Sequence, residues 1–236
     1  MTGWKRFLLA AMPVLLVACG GAGSQVTTRA TLQNDLLGAA SIASVTPAEL
    51  ASALNTFSAD FGNLIEPGDP NAGPAFFDPS DFATDGVARY DGYIGIGPDV
   101  GNGNLIENNI TNTDFSGRVN FAIGLDSDIV VGVASGFIEN ETGDNLDGTL
   151  IIDAALNRTN PLDFGIQGKI DGTLTHEDGR VSTIVGDEIV ADLFGDGADA
   201  LSGDGEGVLT TRDANGNQLV DESYTFDLDI VATLED

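Results

Sequence analysis

Cysteine is almost missing from this chain. The 236 residues include one, Cys19, so no disulfide framework can form within the chain and no zinc cluster can be built on thiolates. Histidine is equally scarce: His176 stands alone, and one residue cannot make the histidine pair that often holds haem. Basic side chains are few, with 9 Lys and Arg against 37 Asp and Glu and a formal charge of −28. That balance excludes nucleic acid as a partner, because phosphate backbones are bound through clustered Lys and Arg. It excludes adhesion to anionic lipid through charge for the same reason. What it favours is solubility and the attraction of cations or basic partners. Long apolar runs are also lacking: the run from Phe7 to Ala18 is shorter than the ~20 residues a spanning helix requires. The chain is nonetheless composed to fold. Its hydrophobic fraction of 42% and charged fraction of 19% are those of a globular protein of about one domain.

The N-terminus reads "MTGWKRFLLAAMPVLLVACGG". A short basic head, Lys5 and Arg6, precedes an apolar stretch that fits a secretory h-region. Leu16 to Cys19, "LVAC", resembles a bacterial lipobox. The resemblance implies a signal peptide over 1–18 and a lipidated, palmitate-bearing Cys19 as the mature N-terminus. The alternative is an ordinary signal peptide cleaved after a small residue. Gly20 stands where lipoproteins retained at the inner membrane usually carry Asp, so the resemblance implies the outer membrane, facing the periplasm or the cell surface. Acyl chains anchor a protein stably without a spanning helix. Loss of the leader removes two cations and no acid, which deepens the negative charge by two.

Residues 19–45 read as the lipidated cysteine and a tether, polar at first and then ambiguous. The best local helix signal follows, "TPAELASALNTFSADFG". Thr46 is a good N-cap, Pro47 suits the first helical position, and Glu49 completes a capping box. Leu50, Leu54, Phe57 and Phe61 form one apolar stripe, and Gly62 can end the helix. Residues 46–86 are therefore expected to be a short helix and a Pro/Gly/Asp-rich connector pinned by Phe76, Phe77 and Phe82.

From Val87 onward the apolar period becomes two. In "DFGIQGKIDGTLT", Phe164, Ile166, Ile170 and Leu174 face one way and Gln167, Lys169, Asp171 and Thr173 the other. "GTLIIDAALN" and "SYTFDLDIVATLED" alternate in the same manner, whereas "DIVVGVASGFI" is apolar on both faces, as a well-covered strand would be. Asp-Gly before Arg180 and Asn-Gly after Ala214 are hairpin turns. Residues 87–236 are thus expected to be all-β, a small eight-stranded antiparallel up-and-down barrel, with a two-sheet sandwich as the alternative. The polar outward faces argue against a membrane-spanning barrel.

Within that pattern "ADLFGDGADALSGDGEG" resembles the hairpin motif of the transferrin-binding-protein-B-like barrel family. Leu193, Phe194, Gly195, Ala198, Leu201, Ser202 and Gly203 fall on the motif. Ala191, Leu193 and Ala200 replace the Gly, aromatic and Glu residues usual there. The likeness covers about Val87 to Asp236, in a single-barrel form. It implies a barrel in which Leu193 and Phe194 cap one end, and an outer-membrane lipoprotein binding module serving iron, haem, metal or host-protein capture. Its expected partners are the membrane through the anchor and a TonB-dependent receptor or an iron or haem carrier protein. Binding falls to the loops at one barrel mouth. The alternative is a structural surface lipoprotein with no small-molecule ligand.

Individual candidates are thin. "DANGNQLVDE" places Asp213, Asn215, Asn217 and Asp221, with Glu222, at spacings that partly echo a calcium loop, but an Asn-Gly hairpin is the simpler account. Asp192, Asp196, Asp199 and Asp204 form a similar set, whose acids read more simply as the solvated face of a hairpin. For haem, Tyr90, Tyr93 and Tyr224 are all the tyrosines, and a tyrosinate can hold haem iron. Tyr90 and Tyr93 have opposite parity on one strand and are not expected to converge. His176 is expected at an exposed hairpin tip. No cofactor is assigned, and no catalytic group: no thiol is left once Cys19 is lipidated, and no glycine loop leads into a helix.

Overall fold

The computed structural model describes residues 27–39, 83–98, 113–158, 165–195 and 197–235, together with residues 46, 48, 49, 52, 55, 56 and 59. The elements described from end to end include a helix, α1 Arg29–Ala39, and the strands β1 Val87–Gly97, β2 Phe115–Gly124, β3 Ile129–Glu139, β4 Asn145–Asn157, β5 Gly165–Thr175, β6 Val181–Phe194, β7 Ala200–Arg212 and β8 Tyr224–Leu234. Each strand pairs antiparallel with the next, and β8 returns to pair with β1, which closes the barrel. The sheet is thus the expected up-and-down barrel and not a sandwich.

Alternation places one residue in two inside. Ile166, Ile170 and Leu174 of β5, and Phe226, Leu228, Ile230 and Ala232 of β8, belong to one continuous interior cluster with Val119, Phe121, Leu150 and Ile152. An eight-stranded barrel is narrow enough for side chains to fill it. The seam between β1 and β8 depends on glycine. A Cβ at Gly92 would fall within the contact distance of the Val231 carbonyl and the Ala232 backbone, so only a hydrogen atom fits where the last strand meets the first.

The outer wall is covered in one place and charged in another. Helix α1 lies along β2 and β3, where Leu32 and Leu36, one turn apart, bury against Ala122, Val131 and Val133. This explains why β3 is apolar on both faces. Arg29 fixes the start of the helix by pairing with Asp153 and donating to the Ala154 carbonyl at 3.3 Å. The stretch read as tether therefore contains a docked helix. Only two of its leucines are buried, too few for the sequence to announce it. The Thr46 helix start is as expected: Thr46 N donates to Glu49 Oε2 at 2.9 Å and Glu49 N to Thr46 Oγ1 at 3.2 Å. The four apolar residues of its stripe and the three connector phenylalanines lie outside the described residues.

On β6, β7 and β8 the outer wall is acidic. Asp204 sits opposite Asp229, and Glu206 opposite Asp227. Like charges placed directly across strands destabilise a sheet. Asp192 and Asp204 are half-buried, not fully solvated as the sequence suggested. Burial chiefly, with Asp204 beside it, pushes the Asp192 carboxyl above its ordinary range. Asp204 is raised likewise, by burial first and then by Glu188 and Asp227. A wall of this kind cannot face lipid. No helix among the described residues is long and apolar enough to cross a membrane.

Candidate functional site

The two barrel ends differ. At the lower end, the turn between β6 and β7 folds into the barrel. Leu193, Ala198 and Leu201 join the interior cluster, and Phe194, on the opposite face of the strand from Leu193, is buried as well. Ala198 takes a left-handed backbone (φ 58°), and its carbonyl accepts a 2.8 Å hydrogen bond from the buried Tyr90 hydroxyl. Beside it Arg158 pairs with Asp128 and donates to the Leu125 carbonyl at 2.9 Å. The motif residues thus close this end, and the Tyr90 phenol, driven above its ordinary value by burial and then by Asp199, is engaged in doing so. Tyr93 is half-buried on the outside of the same strand and stacks under Arg118, 5.9 Å from the ring centroid. The two tyrosines do not converge.

Among the described residues the upper end is open. All four upper connections contribute to a cavity of about 840 Å³, walled by Asp114 and Phe115, by Glu139 to Thr142, by His176 and Arg180, and by Leu209, Thr211 and the segment around Glu222 and Tyr224. Beneath the cavity the interior becomes polar. Ser182 and Thr211 are 0% and 1% exposed, and His176 is 5% exposed. Each lies two residues beyond an inward apolar side chain on its own strand, so alternation turns it inward. His176 Nε2 meets Ser182 Oγ at 2.9 Å, and Ser182 Oγ meets Thr211 Oγ1 at 2.8 Å. The ring stands edge-on to Phe115, centroids 5.9 Å apart.

His176 therefore does not sit exposed at its hairpin tip. The turn is the one expected, with Gly179 N bonded to the His176 carbonyl at 3.0 Å. Strand parity nevertheless carries the imidazole over the barrel mouth. Burial, and then the Arg180 charge, lower its pKa below the ordinary value, against the opposite pull of Glu139. The ring is accordingly neutral at neutral pH. Glu139 Oε1 lies 3.7 Å from His176 Nδ1 and 3.6 Å from Arg180 Nη2. Arg180 also pairs with Glu222 at 2.6 Å and Asp178 at 2.7 Å, tying three upper connections together. Tyr224, the third tyrosine, donates its hydroxyl to Asp114 at the rim. Burial first, and then that carboxylate, raise its pKa.

The calcium candidates scatter. Asp213 accepts from Asn215 N at 2.9 Å, Asn217 N at 2.8 Å and Asn217 Nδ2 at 2.9 Å, so the loop folds onto its own carboxylate as an Asn-Gly hairpin turn. These bonds, the Asn217 side chain's first, hold the Asp213 carboxyl below its ordinary range. Asp221 lies apart from it, in a 3-10 turn on the cavity wall. Of the second set, Asp192 and Asp204 are on the outer wall, Asp199 is in the lower turn, and Asp196 lies outside the described residues. No three of His, Cys, Asp or Glu gather to hold a metal ion among the described residues. Cys19 and the lipobox lie outside the described residues.

No family model matches the sequence, and no curated protein matches it. Among solved structures the chain is similar to two of the vaccine antigen transferrin binding protein B from Haemophilus parasuis Hp5. For a single mutant the TM-score is 0.37 at 12% identity, covering 68% of this chain and 29% of that one. For a double mutant the score is 0.36 at 11% identity, covering 67% and 28%. The chain spans less than a third of the length of either. This is a remote likeness, and it transfers no ligand, partner or residue role.

Proposed function

We propose that this chain is a lipid-anchored binding module of the outer membrane whose ligand enters the upper mouth of the barrel. The observation that carries this reading is the polar layer of His176, Ser182 and Thr211 beneath an open cavity, in a barrel whose interior is otherwise filled with apolar side chains. A barrel selected only to fold gains nothing from three buried polar groups at one end, each of which must be satisfied. The lower end, by contrast, is closed. It is also the end nearest the expected anchor: Thr27 N donates to Asp126 Oδ2 at 3.2 Å, beside the turn between β2 and β3. An anchor at Cys19, eight residues before Thr27, would therefore join the barrel on the side of the closed end. Iron, haem or a host iron-carrier protein are the ligands the motif resemblance suggests, with a TonB-dependent receptor as the neighbour that would receive them.

The test is native mass spectrometry of the protein extracted from membranes in detergent. The reading expects a mass above that of the lipidated chain in a fraction of molecules. That mass should be lost in Thr142→Trp, which places a bulky side chain at the exposed rim without touching the core. A single unliganded species in wild type and variant, with no change on adding haemin or ferric ion, would favour the alternative of a structural surface lipoprotein. The like-charged outer wall is the observation that speaks for that alternative.

A further inference from the structure

Five carboxylates, Asp114, Glu139, Glu141, Asp221 and Glu222, line the upper mouth against one guanidinium, Arg180. That guanidinium is already shared among Glu139, Glu222 and Asp178. An anionic ligand would meet a strongly negative wall whose one cation is committed.

The uncharged polar groups point the same way. His176, 5% exposed, spends Nε2 on Ser182. Its Nδ1 has no hydrogen-bond partner among the described residues and faces the Glu139 carboxylate on the cavity wall. With its proton on Nε2 the neutral ring presents a lone pair at Nδ1, and with its proton on Nδ1 it points that N–H at Glu139. Asn140, also on the wall, turns Nδ2 to the Thr113 carbonyl and Ser116 Oγ, each at 2.8 Å. Its Oδ1 is likewise buried without a donor among the described residues. Amide oxygen and carboxylate are acceptors, and the imidazole adds a third in its Nε2–H tautomer. Buried acceptors of this kind call for a donor.

We propose, resting on the binding reading above, that the upper mouth takes a small aliphatic ammonium ion, a free mono- or polyamine. An ammonium group carries three N–H donors and one positive charge, which answers both the unpaired acceptors and the excess of carboxylates. Phe115 and Tyr224 supply aromatic surface for the alkyl chain and the charge. A cavity of about 840 Å³ has room for an extended diamine.

The single histidine makes the test direct. The full chain, extracted in detergent and labelled with nitrogen-15 only at histidine, gives one imidazole to observe. Putrescine, acetate, calcium ion and haemin are added in separate titrations. Putrescine is expected to move the His176 Nδ1 resonance saturably, and acetate to leave it in place. Glu139→Gln is expected to weaken putrescine about tenfold or more, and the rim variant Glu141→Gln about two- to threefold, as for charges that differ in burial. A shift with acetate equal to that with putrescine overturns the amine assignment. So does a ring that answers haemin or calcium but not putrescine, which leaves the mouth a binding site for something else. A ring that answers none of the four overturns both the assignment and the binding reading.

Discussion

Ser182→Ala removes one oxygen and tests whether the polar layer is a connected unit. Ser182 Oγ is the middle member, 2.9 Å from His176 Nε2 and 2.8 Å from Thr211 Oγ1, and the residue is wholly buried. Its loss leaves two buried polar groups each short of a partner. A buried group left unsatisfied costs about 1–3 kcal/mol. The Thr211 hydroxyl can rotate to a new acceptor, so the expected total is about 2–3 kcal/mol and not the full sum. Urea unfolding followed by tryptophan-independent far-ultraviolet circular dichroism reads this as a lower midpoint at unchanged slope. The double variant Ser182→Ala/Thr211→Val should cost less than its two parts added, because the second change removes a group the first has already orphaned. The same titration has a pH arm. The folded state holds His176 neutral, with its pKa below the ordinary 6.5. The unfolded chain therefore takes up the proton first, and stability falls as pH drops from 6.5 toward the lowered folded value. His176→Gln should remove that slope. A loss below about 0.5 kcal/mol for Ser182→Ala, or strict additivity with Thr211→Val, would refute the connected layer.

Three further outcomes follow from the wall of the barrel. Gly92→Ala should destabilise by about 3 kcal/mol, because its new methyl meets backbone at the β1–β8 seam, whereas Gly38→Ala, with nothing within 4 Å, should stabilise by about 0.4–1 kcal/mol; thermal melts of the two compare them. Asp204→Asn should stabilise at neutral pH by up to about 1 kcal/mol, since it removes a half-buried carboxylate beside Glu188 and Asp227. The gain should shrink as pH falls through the raised folded pKa, where the wild-type group is already protonated, and chemical denaturation at several pH values reads it. Leu32→Asp should release α1 from the barrel, so hydrogen exchange at residues 32–39 quickens while exchange in β5 and β6 does not.

Much of this fold was legible because alternation is a local signal. β5 and β8 could be read residue by residue, and the apolar outer face of β3 announced a cover. What lay over it could not be read, because α1 buries only Leu32 and Leu36, leaves Leu37 exposed and ends on Gly38 and Ala39. The site was half legible. Extending the parity of Ile170 and Leu174 by two reaches His176, and the same step from Ile184 and Leu209 reaches Ser182 and Thr211. A turn signal at Asp178 and Gly179 outweighed that step, since turns are usually exposed. The pairing of Arg180 with Glu139 and Glu222 joins three separate connections, and no local pattern encodes it. The hairpin motif around Phe194 was recognisable, and its residues close the lower end; the opposite end carries the cavity.

The most direct test of a binding mouth is to map where ligands touch. Amide shifts of the full chain, recorded on adding putrescine, haemin and ferric ion in turn, should gather at 113–115, 139–142, 176–182 and 209–224 for any species that binds. Shifts gathered instead at the lower turns, 125–128 and 195–199, or none anywhere for all three, would contradict the assignment of the upper mouth as the site.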